Sequence, residues 1–232
     1  MRRIKRIPKM AELFWLLGTV LCGLGVVLCT KADLGLSMFA APPYILHIAL
    51  KPYFPWYTQG ISEYVWQSFL LVVMCFAVRR FRVKYLLSFL VAVGFGMIID
   101  GWLFLLGGNT PYVTLAGRIA AFCAGQLTIS LSVAMVFRSY MPVQMPECIV
   151  IELWDRYHWE ITKVKLIIDM SCLALSFVMA LVLTRSFTGV GWGTVIITLV
   201  NAPIIRLWGK LLDKLFTFEP LFPFMKKWLD KI

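Results

Sequence analysis

MPECIVIELW (residues 145–154) opens with a proline-led helix start, puts an acid beside it and ends after too few residues to cross a bilayer. Proline suits the first turn of a helix, and an acid there meets unpaired N–H groups and the positive end of the macrodipole. The segment runs over residues 146–157, whereas crossing about 30 Å of hydrocarbon takes about 20 apolar residues. A second short segment, residues 37–50, contains APPYILHIAL and is opened by Pro42 and Pro43. Each follows the first long apolar run of its half of the chain.

Six runs meet the length and apolarity test: residues 12–30, 62–78, 85–106, 113–137, 164–183 and 193–212. Hydrophobic residues make up 60% of the 232 and charged residues only 15%, a bias that points to lipid. The net charge of +11 does not indicate nucleic acid, because the basic residues sit at the ends of the apolar runs. The first run is too long for a signal peptide and no A-x-A site follows it, so it reads as a span. The cysteines, Cys22, Cys29, Cys75, Cys123, Cys148 and Cys172, have no CxxC or Cys/His spacing and are expected to be free, packed thiols.

Eighteen of the 23 Lys and Arg residues fall on one side if the N-terminus is cytoplasmic. Lys31, Lys51, Arg118 and Arg185 fall on the other, and Arg206 within a span. Basic loops resist translocation, so both termini are expected inside. The halves also superimpose in pattern at an offset of just over one hundred residues. Residues 41–50 fall on 145–154, SEYVWQSFLLVV (62–73) on VKLIIDMSCLAL (164–175), and GFGMIIDGW (94–102) on VNAPIIRLW (200–208). Three spans per half is an odd number, which sets the halves antiparallel, as in the inverted repeats of secondary transporters. The expected fold is all-α transmembrane, about six spans plus two short re-entrant or broken helices in a three-plus-three inverted repeat. Its parts are a basic N-terminus (1–11), two membrane repeats (12–107 and 112–215) and an amphipathic interfacial tail (216–232). In that tail Phe218, Phe222, Phe224 and Trp228 lie beside Lys226, Lys227 and Lys231.

The stretches KADLGLSMFAAPPYIL (31–46), MPECIVIEL with EITKVKLIIDMSCLAL (145–175) and GTVIITLVNAPIIRLW (193–208) resemble the YitT/YczE-like group of bacterial integral membrane proteins. The resemblance implies the fold, the repeat and a place in a bacterial inner membrane. It implies no catalytic residue. Here SYMPVQMPE (139–147) stands where that group is richer in glycine.

Charges inside spans cost about 2.5 to 3.5 kcal/mol on insertion scales. Asp100 and Arg206 take equivalent places in the repeat, so they either pair near the midplane or each snorkel to an interface. Glu147 either caps its helix or reaches a water-lined cavity, where it binds a proton or a cationic group. Its counterpart helix, Pro42 and Pro43 leading into Tyr44, has no acid and reads as an unoccupied anion site. Pro146 marks the matching start in the second half. Asp169, one turn from Lys165, reads first as a local ion pair, and Gln126, Ser130 and Asn201 as path-lining or helix-tying groups. Lys31, Asp33, Glu152, Asp155 and Arg156 read as interfacial, as do His47 and His158. No HExxH, GxSxG or glycine-rich phosphate loop occurs, so no enzyme, metal or cofactor is expected. The reading is a small-molecule permease or exporter for a polar or charged metabolite, alone or with a proton. A membrane assembly partner and a lipid-acting intramembrane enzyme are the alternatives.

Overall fold

The computed structural model describes residues 7–8, 11–158, 161–187, 189–224 and 226. Eight helices follow in order: α1 (Ala11–Ala32), α2 (Ala41–Leu50), α3 (Gln59–Val78), α4 (Val83–Leu105), α5 (Leu115–Val136), α6 (Met145–Tyr157), α7 (Ile161–Met179) and α8 (Trp192–Leu215). A π-helical turn, Ala180–Thr184, extends α7. All but α2 and α6 are long and apolar enough to span a bilayer, in agreement with the sequence. Helix starts differ from the predicted ones by a few residues because local caps set them. Thr58 accepts from the Ile61 N–H and Thr114 from the Gly117 N–H, both at 3.2 Å.

Among the described residues the only extended pairing is a parallel bridge between β1 (Ile7–Pro8) and β2 (Phe216–Thr217). Both described chain ends therefore lie at one face, called here the terminal face. Phe216 and Phe218 stand edge-on against Phe14, with centroids 4.8 and 5.1 Å away. Glu12 accepts from the Leu221 and Phe222 N–H groups at 2.9 and 3.0 Å and from the Tyr140 hydroxyl. Burial, together with that bond, holds the Tyr140 hydroxyl above its ordinary pKa, so it remains a donor. The tail thus begins docked on α1, while Leu221, Phe222 and Phe224 stay exposed. Trp228, Lys227 and Lys231 lie outside the described residues.

The centre of the bundle is an antiparallel crossing of α1 and α5. Gly18 lies against Ser132, Met135 and Val136, and Gly25 against Gly125 and Ile129. The contact is reciprocal: a Cβ on Gly25 would come within 2.8 Å of the Gly125 carbonyl, and one on Gly125 within 2.8 Å of the Gly25 carbonyl. Glycine at both positions is what lets the two backbones meet. Around this centre α4 packs on α1 and α8 on α5, while α2 and α6 each lie between α3 and α7. Gly60 and Gly96 bring α3 and α4 equally close. Between α7 and α8 no comparable packing exists among the described residues.

Both short helices have their N-terminal ends inside the bundle. The Gln67 side-chain oxygen accepts from the Met145 N–H at 3.1 Å, and its amide nitrogen donates to Gln144 at 3.3 Å. Gln67 lies eight residues from the start of α3 and eleven from its end, about 12 and 16 Å at about 1.5 Å per residue. The tip of α6 is therefore near the membrane middle. Its other end returns to the terminal face, where the Tyr157 hydroxyl donates to the Ala77 carbonyl at 2.8 Å. The segment entering α2 is held from the opposite face by Leu36 N–H donating to Gly189 at 3.0 Å and Gly193 N–H donating to Leu34 at 2.9 Å. All six cysteines are free, as expected, but Cys123 is exposed on α5 rather than packed.

Candidate functional site

The tips of the two short helices face one cavity of about 160 Å³. An enclosed water takes about 10–15 Å³, so there is room for a small organic molecule. Its wall begins at Trp15, Val136 and Phe137, the terminal-face ends of α1 and α5, and reaches Val26 on α1 and Phe95 on α4. From the short segments come Ser37 to Ala40 on one side and Val143, Gln144, Pro146 and Glu147 on the other. Most of the wall is apolar, which makes its few polar groups the distinguishing feature.

Those groups include Glu63 and Gln67 from α3, Glu147 from α6, and Lys165 and Asp169 from α7, with Thr198 and Asn201 from α8. Glu63 is only 4% exposed and lies beside Gln67, one turn on. Glu147 is half-buried, enclosed by protein yet turned to the cavity. Lys165 pairs with Asp169 at 3.5 Å, as the sequence spacing predicts, and its ammonium lies 5.4 Å from the Phe39 ring centroid. Trp66 lines the wall with its indole N–H buried and without an acceptor. Gln67 holds the α6 tip in place. Gln67→Leu leaves the Met145 N–H unsatisfied, and is expected to lower stability by about 1–3 kcal/mol in reversible unfolding of purified protein.

Of the residues predicted to line a path, Pro146, Glu147, Asp169 and Asn201 face this cavity. Pro42, Pro43 and Tyr44 are buried elsewhere, Tyr44 against Gly189. Gln126 and Ser130 both donate to the Asn201 side-chain oxygen, at 3.1 and 2.9 Å, and so tie α5 to α8. The expected anion site at α2 is corrected: Pro42 and Pro43 have no N–H, the N–H groups of Ala40 and Ala41 are taken by the Ser37 carbonyl, and that of Tyr44 by Ala40. The first turn of α2 itself therefore offers a ligand no free N–H.

Pairing of Asp100 with Arg206 is also corrected. Asp100 accepts from the Thr58 hydroxyl at 2.7 Å and the Gly60 N–H at 2.8 Å, capping the start of α3. Arg206 is exposed on α8, and among the described residues no ion pair joins the two. The repeat gave them equivalent places in sequence; their partners are set by α3, which packs on α4, whereas α7 does not pack comparably on α8.

Lys31 and Glu152 lie at the two faces as expected, but buried rather than solvated. Lys31 donates to the carbonyls of Leu106 and Gly108 at 2.9 and 3.0 Å, over the Tyr112 ring. Beside it Arg118 donates to the Ala32 carbonyl at 2.9 Å and pairs with Asp33, and His47 meets the Asn109 amide at 3.0 Å. These bonds shut the face opposite the termini. At the terminal face Glu152 accepts from the Tyr85 hydroxyl at 2.6 Å and pairs with Arg82 at 3.4 Å.

Glu63 and Lys165 were missed as cavity groups, and Gln67 counted only as a mark of the repeat. The register that lays 62–73 on 164–175 places Glu63 on Lys165 and Gln67 on Asp169. That coincidence of polar residues on two spans was the available signal.

The fold and site define a multi-pass α-helical membrane protein in which two short helices meet at an internal cavity. The chain belongs to a family of unknown function, DUF6198, which matches residues 9–210. No curated protein and no solved structure matches it.

Proposed function

We propose that the chain is a small-molecule transporter, a permease or exporter, that works by alternating access with a site at the re-entrant tips. The observation that carries this is a cavity whose wall runs to Trp15, Val136 and Phe137 at the terminal face, while Lys31 and Arg118 bind backbone carbonyls together at the other. The inverted repeat is part of the proposal. Exchanging α1–α4 with α5–α8 turns α1/α4 packing into α5/α8, α2/α3 into α6/α7, and α2/α7 into α6/α3, all of which are present. The Gly25/Gly125 contact maps onto itself. The symmetry breaks around α4: it is zipped to α3 and packs on α6, whereas α8 packs comparably on neither α7 nor α2 among the described residues. Alternating access needs the same joint closed in one half and open in the other. The basic loop from Arg79 to Lys84 lies at the terminal face, which supports a cytoplasmic terminal face. The resemblance to the YitT/YczE-like group supports a bacterial inner membrane.

Thr198, on the cavity wall, lies six residues from the start of α8 at the opposite face. In a cysteine-free background, Thr198→Cys is expected to react with an impermeant thiol reagent from the cytoplasmic side. Under an imposed proton gradient it is expected to react from the other side as well. Reaction from one side only, under either sign of gradient, would remove transport and leave the assembly-partner reading. A reporter fused after Gly108 is expected to read as external, and a cytoplasmic reading overturns the orientation.

A further inference from the structure

Resting on the transport reading, we infer that the cavity's ligand is a lipophilic organic cation, held by Glu63 and Glu147 and exchanged there for protons. The charge balance leads to this class. Three carboxyl groups, Glu63, Glu147 and Asp169, face the cavity with one ammonium, and that ammonium is paired with Asp169. Glu63 and Glu147 make no ion pair among the described residues. A carboxylate enclosed by apolar side chains needs a counter-charge or a proton, and the site can hold one or the other. Anions and zwitterions fit poorly, because the start of α2 has spent its N–H groups and Lys165 is engaged.

The rest of the wall selects for a hydrophobic cation over a metal ion or a small ammonium. Trp15, Trp66 and Phe95 supply aromatic rings, the side chains that attract cations, and Val26, Ile129 and Val133 supply apolar surface. No cluster of His, Cys, Asp and Glu suited to a metal occurs among the described residues. The parted joint gives such a ligand a way in. Lys165 and Asp169 on α7 and Ala202 and Ile205 on α8 all line the cavity, yet the two helices do not close on each other. A molecule dissolved in the bilayer reaches the carboxylates through that seam without crossing water.

The ionisable groups facing Glu63 and Glu147 are Cys22 from α1 and Lys165 and Asp169 from α7. The other elements present Ser37, Val91, Phe95, Ser132, Thr198 and Asn201, none of which titrates near neutrality. Proton competition is therefore assigned to the carboxylates. Cation binding is present when they are ionised and is lost as pH falls and they protonate.

The test uses the purified full-length protein in detergent with phenyltrimethylammonium, and with benzenesulfonate, an anion of similar size, both small enough for a cavity of about 160 Å³. Phenyltrimethylammonium is expected to bind saturably and raise the melting temperature, at least about tenfold more tightly at pH 8 than at pH 5. Benzenesulfonate is expected to do neither. Glu63→Gln and Glu147→Gln are each expected to weaken the cation by about tenfold or more and to flatten its pH dependence. Equal stabilisation by both ions, pH-independent binding, or full affinity in both Gln variants overturns the inference. The wild-type pH series and the ion pair of probes need no variant to fold. Failure here with two-sided labelling at Thr198→Cys removes the ligand class and leaves transport standing; cation binding with one-sided labelling does the reverse.

Discussion

Protein carrying Gly125→Leu is expected to yield no folded, monodisperse species in detergent. A Cβ at this position meets the Gly25 carbonyl and the Cys29 sulfur, at 2.8 and 2.7 Å, on the helix it must cross. Overpacking costs about 1–3 kcal/mol where side chains can give way. A backbone carbonyl inside a helix has no rotamer to change, so α1 and α5 must separate, which also parts α4, packed on α1, from α8, packed on α5. Gly101 is the control. A Cβ there meets nothing within 4 Å, so Gly101→Leu is expected to keep stability within about 1 kcal/mol of the parent, helix propensity being its main effect. Size-exclusion profiles and thermal unfolding of both variants check this. A Gly125→Leu protein as stable as the Gly101→Leu one would show that the central crossing is wrongly placed.

The second large effect belongs to Asp100. Asp100→Ala is expected to cost about 3 kcal/mol in reversible unfolding, because two hydrogen bonds to a charged group are lost and the Gly60 N–H and Thr58 hydroxyl are left unpaired at a helix start. Arg206→Ala is expected to change stability by less than about 0.5 kcal/mol, as an exposed side chain does. The double variant should equal the sum within about 0.3–0.5 kcal/mol. A coupling well above that would restore the pair that equivalent places in the repeat first suggested.

These two cases mark what was legible in the chain. Span number and approximate limits follow from apolar run length, which hydrocarbon thickness fixes almost without regard to packing. The short segments were legible because prolines start helices and ten to thirteen residues cannot cross. Asp100 was conspicuous for the same reason, as a charge in an apolar run. Its partner was not, because Thr58 and Gly60 sit in a loop and a helix start that look ordinary until α3 packs on α4. Glu63 was hidden by its surroundings: one acid near a span end reads as interfacial, and only the register with Lys165 and the packing of α6 beside it place it on a wall. The bare donors expected at α2 failed for a local reason, since a serine three residues upstream had already claimed them.

The seal on the face opposite the termini has its own consequence. Lys31 and Arg118 close it by donating to the carbonyls of Leu106, Gly108 and Ala32, acceptors that every residue type supplies. The constraint on residue type in that closure therefore falls on few side chains: the two cations, Asp33, and the His47 and Asn109 pair. The rest of the loop they grip is free to drift in sequence so long as its length, the Tyr112 ring under Lys31 and its left-handed turn at Gly107 and Gly108 persist. Evolutionary divergence on that surface would leave the lock intact while erasing the motif by which a sequence search would recognise it.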